Sequence, residues 1–117
     1  MKIISDNINW LVPWKRVYGE EAVSLENELR KELHAAHILF GKSCRALGRR
    51  IDTDDVLFLV NNSDDRLAVV HLIWQYQKEA NPQWPHTEIY ESVLEWLEER
   101  MQLDNSAFDA KSQTDSP

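Results

Sequence analysis

The sequence predicts an α+β protein of two layers, in which an N-terminal and a C-terminal helix pack a three- or four-stranded antiparallel sheet. Two segments near the ends of the chain place apolar residues at helical spacing. Between them, three segments rich in branched and aromatic residues are separated by the polar clusters "DTD" and "NNSDD". We assign residues 1–103 to a single globular domain, since 117 residues leave no room for a second core.

The first segment with structural character is "INWLVPW", residues 8–14. Its apolar and aromatic residues are compatible with a short strand. Pro13 cannot donate a backbone hydrogen bond, so such a strand would have to lie at the edge of the sheet or at a bulge.

The first predicted helix is "EEAVSLENELRKELHAAH", residues 20–37. Glu20 and Glu21 open this helix and His34 and His37 close it, which is the order that the helix dipole favours. Charges fill most other positions, and apolar residues recur every three or four: Ala22, Leu25, Leu29, Leu33, Ala36.

Three strands are predicted within residues 43–51, 55–60 and 66–76. They form an antiparallel meander if the turns centre on Thr53 and Ser63. The run of consecutive apolar residues in the second strand indicates that it is central, with both faces covered.

Alternation along these strands sorts their side chains onto two faces. Small residues around Phe58 make the first face suitable for two helices. The second face is an apolar strip edged by Arg45, Arg49 and His71. Two helices cover one face of a small sheet, so the second face needs residues 8–14, a second copy of the chain, or a protein partner.

The last predicted helix is "EIYESVLEWLEERM", residues 88–101, with Thr87 as its N-cap. Its apolar residues share one side, whereas five glutamates lie on the other: Glu88, Glu91, Glu95, Glu98, Glu99. This acidic side is typical of a solvated helix and is also suited to docking a basic partner. Residues 104–117 have no periodicity and are predicted to be a disordered acidic tail.

Composition narrows the classes of function. The net charge of −7 disfavours nucleic-acid binding, which needs clustered basic residues. The single cysteine, Cys44, excludes an intramolecular disulfide and fits a reducing compartment. No apolar run is long enough to cross a membrane, so we expect a soluble cytoplasmic protein.

The histidines and Cys44 are the candidates for chemistry. His34 and His37 have zinc-ligand spacing, but capping of free carbonyls explains them with fewer assumptions. His71 and Cys44 would be a base and a nucleophile if the fold brought them together. A histidine with ordinary partners and an inert buried thiol are the simpler interpretation.

Motifs for cofactors are absent from the sequence. There is no phosphate-binding glycine loop, no nucleophile elbow and no His-Glu-x-x-His. We therefore predict no cofactor, no metal and no catalytic residue, and favour a protein that is not an enzyme.

Two stretches, "RLAVVHLIW" and "WPHTEIYESVLEWLEERM", carry a resemblance to short bacterial proteins with a Val-Val-His-Leu-x-Trp strand and a Trp-Pro-x-Thr-Glu-x-Tyr helix start. The segment "HILFGKSCRALGRRIDTDDVLF" is similar to the same group. The resemblance implies a small bacterial α+β protein, and it brings no activity or site residue.

Two functions follow as hypotheses. The first is a non-catalytic interaction module, immunity-like or adaptor-like, that binds a protein partner or forms a homodimer through the second sheet face or uses the glutamate side of the last helix. The alternative is a small-molecule-binding protein or small enzyme whose pocket is lined by histidine and aromatic side chains: His71, Trp74, Tyr76, Trp84, His86.

Overall fold

The fold is a five-stranded antiparallel sheet with helices on both faces, which confirms the predicted α+β class. It has three layers where two were predicted, because α1 and the C-terminal helix lie on opposite faces, and five strands where three or four were predicted. The computed structural model describes residues 8–61, 66–74 and 83–114, with side chains to 110. The elements are β1 (Trp14–Arg16), α1 (Gly19–Glu32), β2 (Cys44–Arg50), β3 (Asp55–Val60), β4 (Leu67–His71), β5 (Thr87–Tyr90), α2 (Val93–Trp96), a π-helical turn (Leu97–Met101) and α3 (Gln102–Thr114).

The strands are neighbours in the order in which they follow one another along the chain. The predicted central meander corresponds to β2, β3 and β4, and the register pairs Phe58 with Ala46 on one side and with Ala68 on the other. β1 pairs with β2 at one edge and β5 forms the other edge. The edge strand proposed for residues 8–14 shares only Trp14 with β1, and residues 8–13 are not a strand.

A β-bulge in β2 changes which way its last residues face. Ala46 pairs with Phe58 and Gly48 pairs with Leu57, so Leu47 is an extra residue. An inserted residue reverses the alternation beyond it. Gly48 is required here, because a Cβ would lie 2.4 Å from the Trp10 ring.

The first face of the sheet is covered by α1. Leu25 and Leu29 of the helix are almost fully buried against Val56, Phe58 and other residues of the central strands. This arrangement matches the assignment of small and apolar residues around Phe58 to the helix-covered face.

The second face is covered by the chain itself. Trp96 and Met101 from the C-terminal helical segment pack with Trp14 over Leu57 and Val69, and all five are at most 2% exposed. Burying two indoles removes roughly 300–500 Å² from water, which contributes on the order of 10 kcal/mol before ordering entropy. Among the three alternatives predicted for this face, the structure shows self-cover: residues 8–14 contribute to the cluster, and the C-terminal helical segment, predicted on the first face, supplies the rest.

The segment after the sheet begins as a strand rather than as a helix. Thr87, the expected N-cap, opens β5 and pairs with Val70 of β4. Pairing with an otherwise free strand edge prevails over helix propensity here. The helix starts at Val93, and the Ser92 hydroxyl caps it by accepting the Glu95 N–H at 3.1 Å.

α1 ends earlier than the spacing predicts. Leu33 is already extended, with a ψ of 120°, and His34 and His37 lie in the following turn instead of in the helix. The chain leaves the helix there because Leu33 and Leu39 both turn into the first-face core.

The expected disorder from Asp104 onward differs from the structure, in which α3 continues to Thr114. Asp104 accepts hydrogen bonds from Trp14 Nε1 and Arg100 Nε, both at 2.8 Å, and Asn105 Nδ2 donates to the Val12 carbonyl. These contacts fix the first turn of α3 to the N-terminal segment, and residues 115–117 lie outside the described part.

None of the described helices could span a membrane. Within residues 8–61, 66–74 and 83–114, none is both long enough and apolar enough to cross a bilayer.

Candidate functional site

The three residues expected to edge the second face do not share one surface. Arg45 is exposed at the start of β2. Arg49 lies on the α1 side, because the bulge at Leu47 reverses its direction, and its Nη1 bonds Glu21 at 3.3 Å. His71 lies at the end of β4. A binding role for each stays a prediction, but they cannot act as one patch.

His71 forms a surface pair with a carboxylate. Its Nδ1 lies 2.9 Å from Asp55 Oδ1, and half of its side chain is exposed. Cys44 is not its partner: Cys44 pairs with Val60 at the opposite end of β3. Six strand residues separate the two ends by ~16 Å, so the His71 imidazole cannot activate the Cys44 thiol.

Arg100 ties the C-terminal helix to the sheet. Its guanidinium bonds Asp55 at 3.0 Å and Asp104 at 2.8 Å, and it also bonds Glu88. The Arg100 side chain is only 16% exposed. Arg100 points inward and its guanidinium is bound by three carboxylates, so it holds the helix in position against the sheet. Its positive charge therefore does not offset the acidic side chains on the outer surface of the helix.

His37 is a packing residue with both nitrogens satisfied. Nδ1 accepts the Leu39 N–H at 3.0 Å, so Nε2 carries the proton and donates to the Pro85 carbonyl at 3.0 Å. His34 Nδ1 instead accepts the Ala36 N–H. Within the described residues, no three His, Cys, Asp or Glu side chains are grouped as metal ligands.

The residues of the alternative pocket are dispersed. Trp84 and His86 are exposed neighbours, with ring centroids 6.3 Å apart. Trp74 has a left-handed φ of 62° and lines a groove along α1 instead. Tyr76 lies outside the described residues. His71 is linked to the group through its backbone, whose N–H donates to the His86 carbonyl.

Acidic side chains are concentrated in β5 and the C-terminal helical segment. Residues 83–110 hold seven acidic side chains and one basic side chain, Arg100. We call the outward part of this segment the glutamate face, which comprises four glutamates and two leucines that are 62% exposed: Glu91, Glu95, Glu98, Glu99, Leu94, Leu103.

Sequence reasoning missed a buried carboxyl pair on α1. Glu28 and Glu32 are at most 2% exposed, and Glu32 accepts the backbone N–H groups of Ile73 and Trp74 at 2.8–3.1 Å. Burial, together with a hydrogen bond that the protonated Glu32 donates to Glu28, raises the pKa of Glu32 to about 7. The signal was present, since Leu25, Glu28 and Glu32 follow the spacing of the apolar stripe.

Comparison with known proteins adds no family assignment. No protein-family model, no curated protein and no solved structure matches this chain. The resemblance of residues 66–74 and 84–101 to short bacterial α+β proteins stays a prediction. Function is therefore inferred from the surfaces of the chain itself.

Proposed function

We propose that this protein is a non-catalytic interaction module, immunity-like or adaptor-like, which binds a basic protein partner through the glutamate face. The observation that carries the proposal is the concentration of charge: residues 83–110 hold seven acids and one base, in a chain whose total charge is −7. A surface of one sign attracts a partner of the opposite sign and raises the rate of association. The single cysteine and acidic charge fit a cytoplasmic setting for such a module.

Ion pairs leave part of this charge available. Arg66 bonds Glu91 at 3.0 Å, with both side chains more than half exposed. Glu98 and Glu99 are exposed, and the described residues place no cation within ion-pairing distance of either. A basic side chain of a partner could therefore pair with Glu98 or Glu99 without first breaking an ion pair within the described residues.

The same helical segment also exposes apolar contact area. Leu94 and Leu103 are each 62% exposed on the same helical segment. Protein interfaces combine a less charged, more apolar centre with a polar rim. The two leucines therefore give a basic partner something to bury beside the ion pairs.

The test is capture from a bacterial lysate with matched variants. We expect the wild-type chain to retain a basic protein that the variant Glu98→Lys/Glu99→Lys retains at least about tenfold less, because two attractive pairs become repulsive. Isothermal titration with the purified partner should show affinity falling as salt rises, since exposed pairs are screened.

The control reverses two exposed acids elsewhere, Glu20→Lys/Asp54→Lys, and so has the same net charge as the test variant. Retention of the partner by the control, with loss in the test variant, supports the glutamate face. Equal retention by both variants, or equal loss, contradicts the proposal.

A further inference from the structure

A cleft of about 500 Å³ lies between the last turns of α1 and the first residues of β2. We call it the α1–β2 cleft. One wall consists of Leu29, Leu33 and Phe40, and the last of these is 45% exposed. The volume lies within the usual range of small-molecule sites, ~300–1,000 Å³.

The cleft exists because β1 is short. β1 pairs with Gly48, Arg49 and Arg50, and no strand of the described residues covers the outer edge of β2 at Cys44–Ala46. The Glu26 carboxylate of α1 accepts the Ala46 N–H at 2.9 Å in place of a strand. The cleft lies beside this uncovered part of β2.

Three cations line the opening: Arg30, Lys42 and Arg45. In the described part of the chain, none of them forms an ion pair with a carboxylate, although Arg30 bonds the Asn27 amide oxygen. Glu26 is the one acid in the lining, so the cleft carries an excess of two positive charges in a protein of net charge −7.

The remaining wall is uncharged. Cys44 is partly buried in the lining, and burial raises the pKa of its thiol to about 11. The thiol is therefore neutral at pH 7 and behaves as a small apolar group. Together with the wall formed by Leu29, Leu33 and Phe40, it makes up the apolar part of the lining.

We infer that the α1–β2 cleft binds an organic anion with an apolar body, such as an aliphatic or aromatic carboxylate. The head group of this anion accepts hydrogen bonds from Arg45 and Lys42 at the opening. Its apolar part packs against Phe40 and the other apolar residues of the lining. This site is separate from the glutamate face, and the two proposals are independent: either can be correct if the other is wrong.

The test measures binding of anilinonaphthalene sulfonate by fluorescence and its displacement by octanoate. We expect saturable binding, displacement by octanoate, and at least tenfold weaker displacement by octanol, which has the same chain without the charge. The variant Lys42→Glu/Arg45→Glu should bind the probe at least about tenfold more weakly, the equivalent of one charge-assisted hydrogen bond.

The control is Lys15→Glu, a reversal of another exposed lysine. It should keep wild-type affinity for the probe, as should Glu98→Lys/Glu99→Lys. Saturating octanoate should also slow alkylation of Cys44 severalfold, which locates the ligand in this cleft. Absence of saturable binding, equal binding by the Lys42/Arg45 variant, or unchanged alkylation of Cys44 would overturn the inference.

Discussion

At the scale of single residues, Glu32 gives the stability of this protein an unusual dependence on pH. Its pKa is raised from an ordinary value of 4.5 to about 7, mainly by burial. The folded state therefore holds a proton that the unfolded state releases. The stabilising contribution is complete below about pH 4.5 and is lost as the pH rises through 7.

We expect Glu32→Gln to remove this dependence, because the amide keeps an acceptor for the Ile73 and Trp74 N–H groups and carries no charge. Between pH 4.5 and 7.5 the wild type should lose roughly 3 kcal/mol of unfolding free energy relative to the variant. Urea unfolding across this range measures the difference. Glu20→Gln, at an exposed glutamate, is the control and should track the wild type; a parallel pH profile for Glu32→Gln would refute this role.

Asp104 supports a second prediction at this scale. One of its oxygens meets Trp14 Nε1 and Arg100 Nε at 2.8 Å and Arg50 Nη1 at 3.3 Å. Asp104→Ala leaves the buried Trp14 N–H and the Arg100 guanidinium without this acceptor, so we expect a loss of about 2–3 kcal/mol. Asp109→Ala, at an exposed aspartate of α3, should change the free energy of unfolding by less than about 0.5 kcal/mol. Equal effects would show that Asp104 does not anchor α3.

At the scale of elements, the bulge in β2 depends on close packing between Gly48 and Trp10. A Cβ at Gly48 would lie 2.4 Å from the Trp10 ring and 2.8 Å from the Lys15 carbonyl oxygen. The Trp10 ring in turn packs edge-on against Trp96, at 5.9 Å between centroids. Trp10 of the N-terminal segment therefore packs between the bulge and the C-terminal helix, so a change at one of them is passed to the other.

We expect Gly48→Ala to destabilise the fold by about 2–4 kcal/mol, since both the Trp10 ring and the β1 backbone must move. The near-UV circular dichroism spectrum of the variant should differ from that of the wild type, because the displaced Trp10 ring changes its contact with Trp96. Gly41→Ala is the control: Gly41 has a φ of 78° but nothing within 4 Å of a Cβ, so only backbone strain of about 1 kcal/mol is expected. A smaller loss for Gly48→Ala than for Gly41→Ala would contradict the packing account.

At the scale of the whole molecule, the two faces of the central strands were predictable and their covering was not. Alternation alone assigned Phe58 to one face and Leu57 to the other, and the structure agrees. The one signal of the bulge at Leu47 is Gly48, since a glycine inside a strand often marks a bulge. The prediction took the alternation in "RALGRR" as unbroken, which is why Arg49 was placed on the wrong face.

Long-range contacts explain the other differences. Thr87–Tyr90 becomes a strand because the edge of β4 is available, and that availability is not visible in the segment itself. α3 is anchored by the hydrogen bond that Trp14 Nε1, ninety positions away in the chain, donates to Asp104. For the candidate site, Glu95, Glu98 and Glu99 were predictable from helical spacing, whereas Glu88 lies in β5 and Glu91 precedes α2. The cations that line the α1–β2 cleft come together beside the part of β2 that β1 does not reach.

The central claim is that the chain closes its own second sheet face and thereby holds the glutamate face as a fixed surface. Hydrogen–deuterium exchange over a range of protein concentrations tests it most directly. We predict that amides of residues 93–110 are protected from exchange along with β3 and β4, to the same extent at every concentration. Rapid exchange in 93–110, with protection of β3 and β4 that appears only as concentration rises, would show that a second copy covers this face and would contradict the claim.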